Sequence, residues 1–278
     1  EKGASSEYLP CDIGVLRKWN SEDSIRHVRI RGSLPGVKVD DYRLQFVDTP
    51  GPDSAVHKED QITIERFLND NSLPMVCYIV DRINTAEEKY LSRLKEHMSR
   101  FGKQSADRFI FVVSRMDQVE ISKGDSKEEN AIKTKIEDIK SDLRRLGIMN
   151  PRIFPVSAKI ALKAREYRLL DEDYREEARD DIKKFWRGLR RIDSTLLDYT
   201  SVGSAIKNKI EAEITEIKKK IDEDKVQLED NLRLAELLSG VPALEMAIEE
   251  YVTKYSVPAR IYDAATIFDA GIKKATAV

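Results

Sequence analysis

The chain has 278 residues, with 48 Lys+Arg against 50 Asp+Glu, three His and two Cys; it is too long for a mini-domain and too near neutral for the electrostatic footprint of a nucleic-acid binder. Charged residues make up 35% of it, against about 25% in an average globular protein, while 41% apolar residues still suffice for a core, a combination that long helices with solvated faces produce. Cys11 and Cys77 make no disulfide framework, no stretch approaches the roughly 18 apolar residues of a membrane span, and no basic-then-apolar leader opens the chain, so a protein of a reducing cytoplasm is expected.

In chain order, residues 25–31 and 42–47 read as two short strands joined by a turn region at Leu34-Pro35-Gly36. The runs 75–80, 109–113 and 152–156 are almost continuously apolar, as parallel strands covered on both faces are, and Cys77 within the first reads as a buried thiol. Between them lie helices. Thr85 with Glu88 makes a capping box ahead of Leu91, Leu94, Met98 and Phe101 at helical spacing, and Gly102 follows as a stop. Ser126 with Glu129 repeats the device before Ile132, Ile136, Ile139, Leu143 and Leu146, which end at Gly147. Strands and helices alternating from about 42 to 157 predict an α/β fold with a mainly parallel sheet.

From about 160 to 239 the strand signals stop. Tyr174, Ala178, Ile182, Phe185, Leu189, Ile192 and Leu196 form one apolar stripe, and Ile206, Ile210, Ile214, Ile217, Ile221 and Leu228 form a second after a break near Tyr199 to Gly203. Strict heptads would put Asp224 and Asn231 on the seam, so an antiparallel helical hairpin that projects from or packs on the α/β body is the preferred reading. Whether this hairpin is a dimerisation arm or a cap is open at this level. A last helix follows Gly240-Val241-Pro242, with Pro at a start position.

Chemistry concentrates at strand ends. Residues 42–47 run into Asp48-Thr49-Pro50-Gly51, and an acidic residue at the C-terminal end of a strand, followed by a Gly that admits a close ligand, is where an open α/β sheet binds phosphate and Mg²⁺. Residues 109–113 run into Ser114-Arg115-Met116-Asp117, and 152–156 into Ser157-Ala158-Lys159. His57 reads as a solvated loop residue rather than a base, and His27 and His97 as surface residues. The basic run Lys183, Lys184, Arg187, Arg190 and Arg191 reads as a solvated helix face diluted by Asp180, Asp181 and Asp193.

These three strand-end motifs, in this order, resemble those of TRAFAC-type GTPases, whose guanine motif is usually Asn/Thr-Lys-x-Asp. The flanks Glu7-Tyr8-Leu9-Pro10, residues 154–165 and residues 239–252 narrow the resemblance to bacterial dynamin-like proteins. The likeness covers about 1–165 and 239–260. It implies a P-loop GTPase-type domain core over 1–160, a helical insertion over 161–239, a closing helix over 240–256 and the start of a helical neck or stalk over 257–278. The implied ligands are GTP or GDP with Mg²⁺. Asp117 would accept from guanine N1–H and the exocyclic amine, Arg115 would lay its stem along the base, and the Ser157-Ala158-Lys159 turn would read the guanine carbonyl. The implied activity is GTP hydrolysis coupled, through G-domain self-association, to stalk movement at a membrane. The implied location is cytoplasmic or peripheral at the membrane, and nucleic acid is not an implied partner.

The chain also departs from that family. No GxxxxGK followed by Ser or Thr occurs, and the resemblance places that phosphate loop ahead of Glu7, so the chain is expected to be a piece of a longer protein. Cys11 and Asp12 stand where a Mg²⁺-binding Thr is usual; Asp12 as a hard oxygen ligand and an impaired switch are both open. Pro52 stands where Ras-like enzymes carry a water-orienting Gln, so the water must be positioned by something else, and the variants at Cys11-Asp12, Ser114 and Arg115 keep a nucleotide-binding, non-hydrolysing interaction protein as the alternative.

Overall fold

Three short apolar runs find one another as a parallel sheet. The computed structural model describes residues 13–20, 30, 36–37, 44–49, 65, 68–69, 74–100, 107–119, 131–167, 172–189 and 195–276. The chain divides into two compact units, residues 1–38 and 39–278. In the first, the described residues include one helix, α1 (Ile13–Asn20), and Ile30 is exposed and outside regular structure. The rest of the anticipated 25–31 strand, and His27, lie outside the described residues.

In the second unit, β1 (Val76–Val80), β2 (Phe109–Val113) and β3 (Arg152–Pro155) lie side by side in that order, all parallel. Val76 is in register with Phe109, and Ile110 with Arg152. Helix α2 (Thr85–Arg100) connects β1 towards β2, and α3 (Ala131–Arg145) precedes β3. The α/β reading is thereby met at its coarse level: a small parallel sheet within a mostly helical unit.

Residues 44–49, in contrast, form no strand, and Phe46 and Val47 are exposed. The β-type alternation there is real, yet a strand is stable only against a neighbour, and no described strand pairs with it. The cap of α2 is also displaced by one residue from the anticipated Thr85/Glu88 pair. Asn84 Oδ1 accepts from the Glu87 N–H at 3.0 Å, and Glu87 Oε2 accepts from the Asn84 N–H at 2.8 Å. Asn is at least as good a cap as Thr, so the helix starts at Thr85 with its first donors already satisfied. Ser126 and Glu129 lie outside the described residues. At the end of α3, Gly147 adopts φ 87°, the left-handed stop that its position suggests.

The period-two alternation of the strands sorts two clusters. Tyr78, Val80, Phe109, Phe111, Val113 and Ile153 belong to a large cluster with Leu91 and Leu94 of α2 and Ile132, Ile136, Ile139 and Leu143 of α3. On the other face, Ile110, Val112, Phe154 and Val156 pack with Ala247, Val241 and Leu244 of α8 (Val241–Tyr251). Each such side chain, fully buried, contributes about 1.5–3 kcal/mol. This second cover stops short of β1: Cys77 and Ile79, in register with Ile110 and Val112, are exposed. Cys77 thus opens to solvent on one side, while the packing around its sulfur still pushes the thiol pKa up to about 11 by desolvation, so the buried thiol that its apolar neighbours suggest is met only in part. His97 departs the other way; it is 5% exposed and its Nε2 lies 3.4 Å from Glu65 Oε2.

The helical region is built into the body rather than projecting from it. Helices α4 (Ala158–Glu166), α5 (Glu172–Leu189), α6 (Ser204–Asp222) and α7 (Leu228–Leu238) follow β3. Ala178, Ile182 and Phe185 of α5 are buried, as are Ile210, Ile214 and Ile217 of α6. The principal contacts of α5 are with α4 and α7, and those of α6 with α7 and α8, so the two stripes meet intermediate helices rather than forming a hairpin with each other. Tyr174 is exposed, and Leu196 is buried in a separate 3₁₀ turn, Leu196–Tyr199, so the first stripe does not continue as one helix to 196. Leu228, exposed, opens α7 instead of closing the second stripe. Beyond α8 a π-helical turn, Val252–Ser256, leads into α9 (Val257–Thr276), which has no buried residue. Among the described residues no helix is long and apolar enough to cross a membrane.

Candidate functional site

A parallel sheet delivers all its strand C-termini, and the N-termini of the helices that follow, to one edge. Here that edge gathers Asp81 after β1, Ser114 to Asp117 after β2 and Ser157 after β3. Backbone ties hold the three exits together. The Ser114 N–H donates to Val80 O at 2.8 Å, the Val156 N–H to Val113 O at 2.8 Å, and the Met116 N–H to Val156 O at 3.2 Å.

After Ser114 the chain turns through Arg115, whose φ of 57° and ψ of 38° are left-handed, into a 3₁₀ turn at Met116–Gln118. A non-glycine residue in that region is uncommon and stays there only where its surroundings over-determine it. Met116, 2% exposed, is one anchor. A second is Asp117, half-buried, whose Oδ1 accepts a hydrogen bond from Ser157 Oγ at 2.6 Å. Among the described residues this is its one side-chain hydrogen bond, which leaves Oδ2 as an acceptor.

Ser157 is the hub. It is fully buried, caps α4 by accepting from the Ile160 N–H at 3.3 Å, and donates its own N–H to Ser239 O at 2.8 Å. Ser239 belongs to the junction between α7 and α8, and Gly240 beside it has φ 77°; a Cβ there would stand 2.2 Å from Pro155 O. Only glycine admits that approach. Helix α8 thus begins directly on the backbone that presents Ser157.

The cations around the edge are held by carboxylates. Arg115 Nη1 lies 3.5 Å from Asp81 Oδ2, and Lys135 Nζ lies 2.6 Å from Asp81 Oδ1 and 3.0 Å from Ser114 O. Lys159 Nζ is 2.8 Å from Asp181 Oδ2 on α5, and Lys163 pairs with the same oxygen. Hydrogen bonds from Lys159 and then Lys163 hold the Asp181 carboxyl below the usual aspartate range. Further along α4, Arg165 binds Glu245 bidentately at 2.7 Å and Glu236 at 2.6 Å, which ties α4 to α8 and α7 and raises the guanidinium pKa further.

Of the residues anticipated from sequence, Ser114, Arg115, Asp117 and Ser157 come together, with Ala158 and Lys159 exposed on the first turn of α4. Asp48 and Thr49 are exposed, and none of the described contacts joins them to this edge. Pro50, Gly51, Asp12, Cys11 and His57 lie outside the described residues. Among the described residues, no group of three or more His, Cys, Asp or Glu lies together as a metal-ion cage. Sequence reasoning missed Asp81, Lys135, Asp181 and the role of Ser239-Gly240. Asp81 carried the same signal as Asp48, an acidic residue directly after an apolar run, and on a stronger strand. Lys135 and Asp181 carried none, because each reaches the edge from a helix far away in sequence. No protein-family profile, curated protein or solved structure matches the chain.

Proposed function

We propose that this carboxyl edge is the base-binding half of a guanine-nucleotide site in a P-loop GTPase-type fold, and that the chain belongs to a dynamin-like GTPase. The observation that carries the reading is the 2.6 Å hydrogen bond between Ser157 and Asp117, residues of two motifs 40 positions apart that meet at the end of a parallel sheet. Guanine offers two neighbouring donors, N1–H and the C2 amine, and a carboxylate accepts both; adenine lacks that pair. Ser157 fixes one oxygen of Asp117 and so orients the carboxylate, while the α4 N-terminus that Ser157 caps supplies N–H groups for an anionic or carbonyl oxygen. Arg115 offers an apolar stem for the face of the base and a cation beyond it. Hydrolysis, self-association through this domain and stalk movement at a membrane follow from the family resemblance and are part of the proposal.

Titration with labelled GTP and XTP tests it. Asp117→Asn should weaken GTP and shift preference towards the xanthine nucleotide, whose C2 carbonyl accepts from the new amide. Unchanged GTP affinity in Asp117→Asn sinks the assignment. A second reading, binding without hydrolysis, is favoured by Cys11-Asp12 in the place of a Mg²⁺-binding Thr and by Ser114 and Arg115 in the guanine motif; single-turnover phosphate release from a longer protein that carries the phosphate loop separates the two.

A further inference from the structure

The turn after β2 is pinned on both flanks, and only one of the pins belongs to the motifs. On the β3 side, Ser157 holds Asp117. On the β1 side, Asp81 faces Arg115, and Asp81 is itself fixed by Lys135, a half-buried lysine that also donates to Ser114 O. The Asp81–Arg115 pair is not explained by stability. Both side chains are well exposed, 39% and 63%, and an exposed pair adds little to a fold. Arg115 meanwhile sits in a backbone region that disfavours it. What the pair does achieve is to take a long, exposed side chain, otherwise free among many rotamers, and fix its head at the mouth of the Asp117 turn.

We infer that Asp81, oriented by Lys135, is a positioning residue that anchors the guanidinium of Arg115 so that its methylene stem forms the stacking surface for the base that Asp117 recognises. The inference rests on the guanine-site reading above. Asp81 acts through Arg115 and touches no ligand itself. Lys135 divides the labour: it takes Oδ1 of Asp81 and leaves Oδ2 for Arg115. A base held by Asp117 then meets a stem already in place rather than ordering it on arrival, which is where preorganisation adds affinity.

A double-mutant cycle on the 278-residue chain, read by saturation-transfer NMR titration with guanosine, tests this separately from any phosphate contact. Asp81→Asn should weaken guanosine about two- to fivefold, the range an exposed ion pair can supply, and Asp81→Glu should recover part of the loss. In an Arg115→Met background, which keeps a stem and removes the charged head, Asp81→Asn should change nothing further. A merely structural role for Asp81 would lower affinity equally in both backgrounds, and that result overturns the inference, as does an Asp81→Asn variant that binds like the parent. Circular dichroism melts of each variant confirm that folded protein is compared. If Asp117→Asn abolishes guanosine binding while Asp81→Asn does not move it, only the inference falls. If the parent chain binds no guanosine, the base-site reading falls and takes the inference with it.

Discussion

Asp48 and Asp117 present the same sequence signal, a carboxylate just beyond an apolar run, and they end in opposite circumstances. Asp117 is half-buried, hydrogen-bonded to Ser157 and carried by a strand paired on both sides. Asp48 is exposed at the end of a stretch that joins no sheet. A strand-end motif becomes a site only when neighbouring strands fix where the exit points. For Asp117 those neighbours are β1 and β3, with Ser239-Gly240 as the final brace on β3.

The strongest way to break the well-built member of this pair is therefore at its brace. Gly240→Ala forces a Cβ to within 2.2 Å of Pro155 O at a left-handed position, so either the α7–α8 junction or β3 must move. The expected loss is about 3 kcal/mol or more, at the severe end for one methyl group. Urea unfolding measures it. Gly203→Ala, where an added Cβ meets nothing within 4 Å, is the control and should stay within about 1 kcal/mol of the parent. Equal effects at the two glycines would mean that the close approach to β3 is not maintained in solution.

Ile214→Asp tests whether the helical region belongs to the same body. Ile214 is 6% exposed and lies in the cluster that also contains the sheet residues Phe111 and Ile153. An unpaired carboxylate there should cost about 3 kcal/mol and lower the melting temperature of the unit as one transition. A separate early loss of helix, with the sheet unaffected, would show the region to be an independent appendage.

Much of this was legible in advance, for reasons that differ by element. The three strands were visible because five-residue apolar runs such as Phe109–Val113 have few alternatives in a chain this polar. The stop at Gly147 and the start at Pro242 were visible because backbone chemistry at helix ends is local. That Asp117 and Ser157 share one sheet edge followed from motif order, whereas the hydrogen bond between them is encoded by no local feature and was not anticipated. What stayed hidden is non-local: the failure of residues 44–49 to pair, the open face at Cys77 and Ile79, and the distribution of the α5 and α6 stripes onto α4, α7 and α8. An apolar stripe announces that a face will be buried but carries no address for its partner. The α2 cap was misplaced by one residue because Asn84/Glu87 and Thr85/Glu88 both fit a capping box and only the hydrogen bonds distinguish them.

A third test addresses the two aspartates directly. Asp117→Asn should weaken guanosine by the equivalent of about 1–3 kcal/mol, the cost of a mismatched hydrogen bond at a half-buried site. Asp48→Asn should leave guanosine binding and unfolding within about 0.5 kcal/mol of the parent, because none of its described contacts reaches the carboxyl edge. An Asp48→Asn variant that loses guanosine binding would place residues 44–49 at the site after all. The same chain should release no phosphate from GTP over multiple turnovers, since it contains no Gly-rich loop with a Lys to cradle the phosphates.

The smallest effect expected is electrostatic and concerns the tie between the site and the helical region. Hydrogen bonds from Lys159 and Lys163 lower the Asp181 pKa below its unfolded value of 3.8. A group with a depressed folded pKa contributes stability that is fully present above the unfolded pKa and is lost as pH falls through the folded one. Asp181→Asn should therefore lower the urea midpoint slightly near pH 6, and the difference from the parent should shrink to nothing once the pH has dropped well below 3.8, where the parent carboxyl is protonated too. Added salt at pH 6 should also shrink it, because Lys159 is half-exposed and its pair with Asp181 is screened. A difference that persists unchanged at pH 2 would mean that Asp181 holds α4 through shape rather than charge. In that case α5 would be tied to Lys159 by packing alone, and the link between the helical region and the candidate base site would not respond to pH or salt.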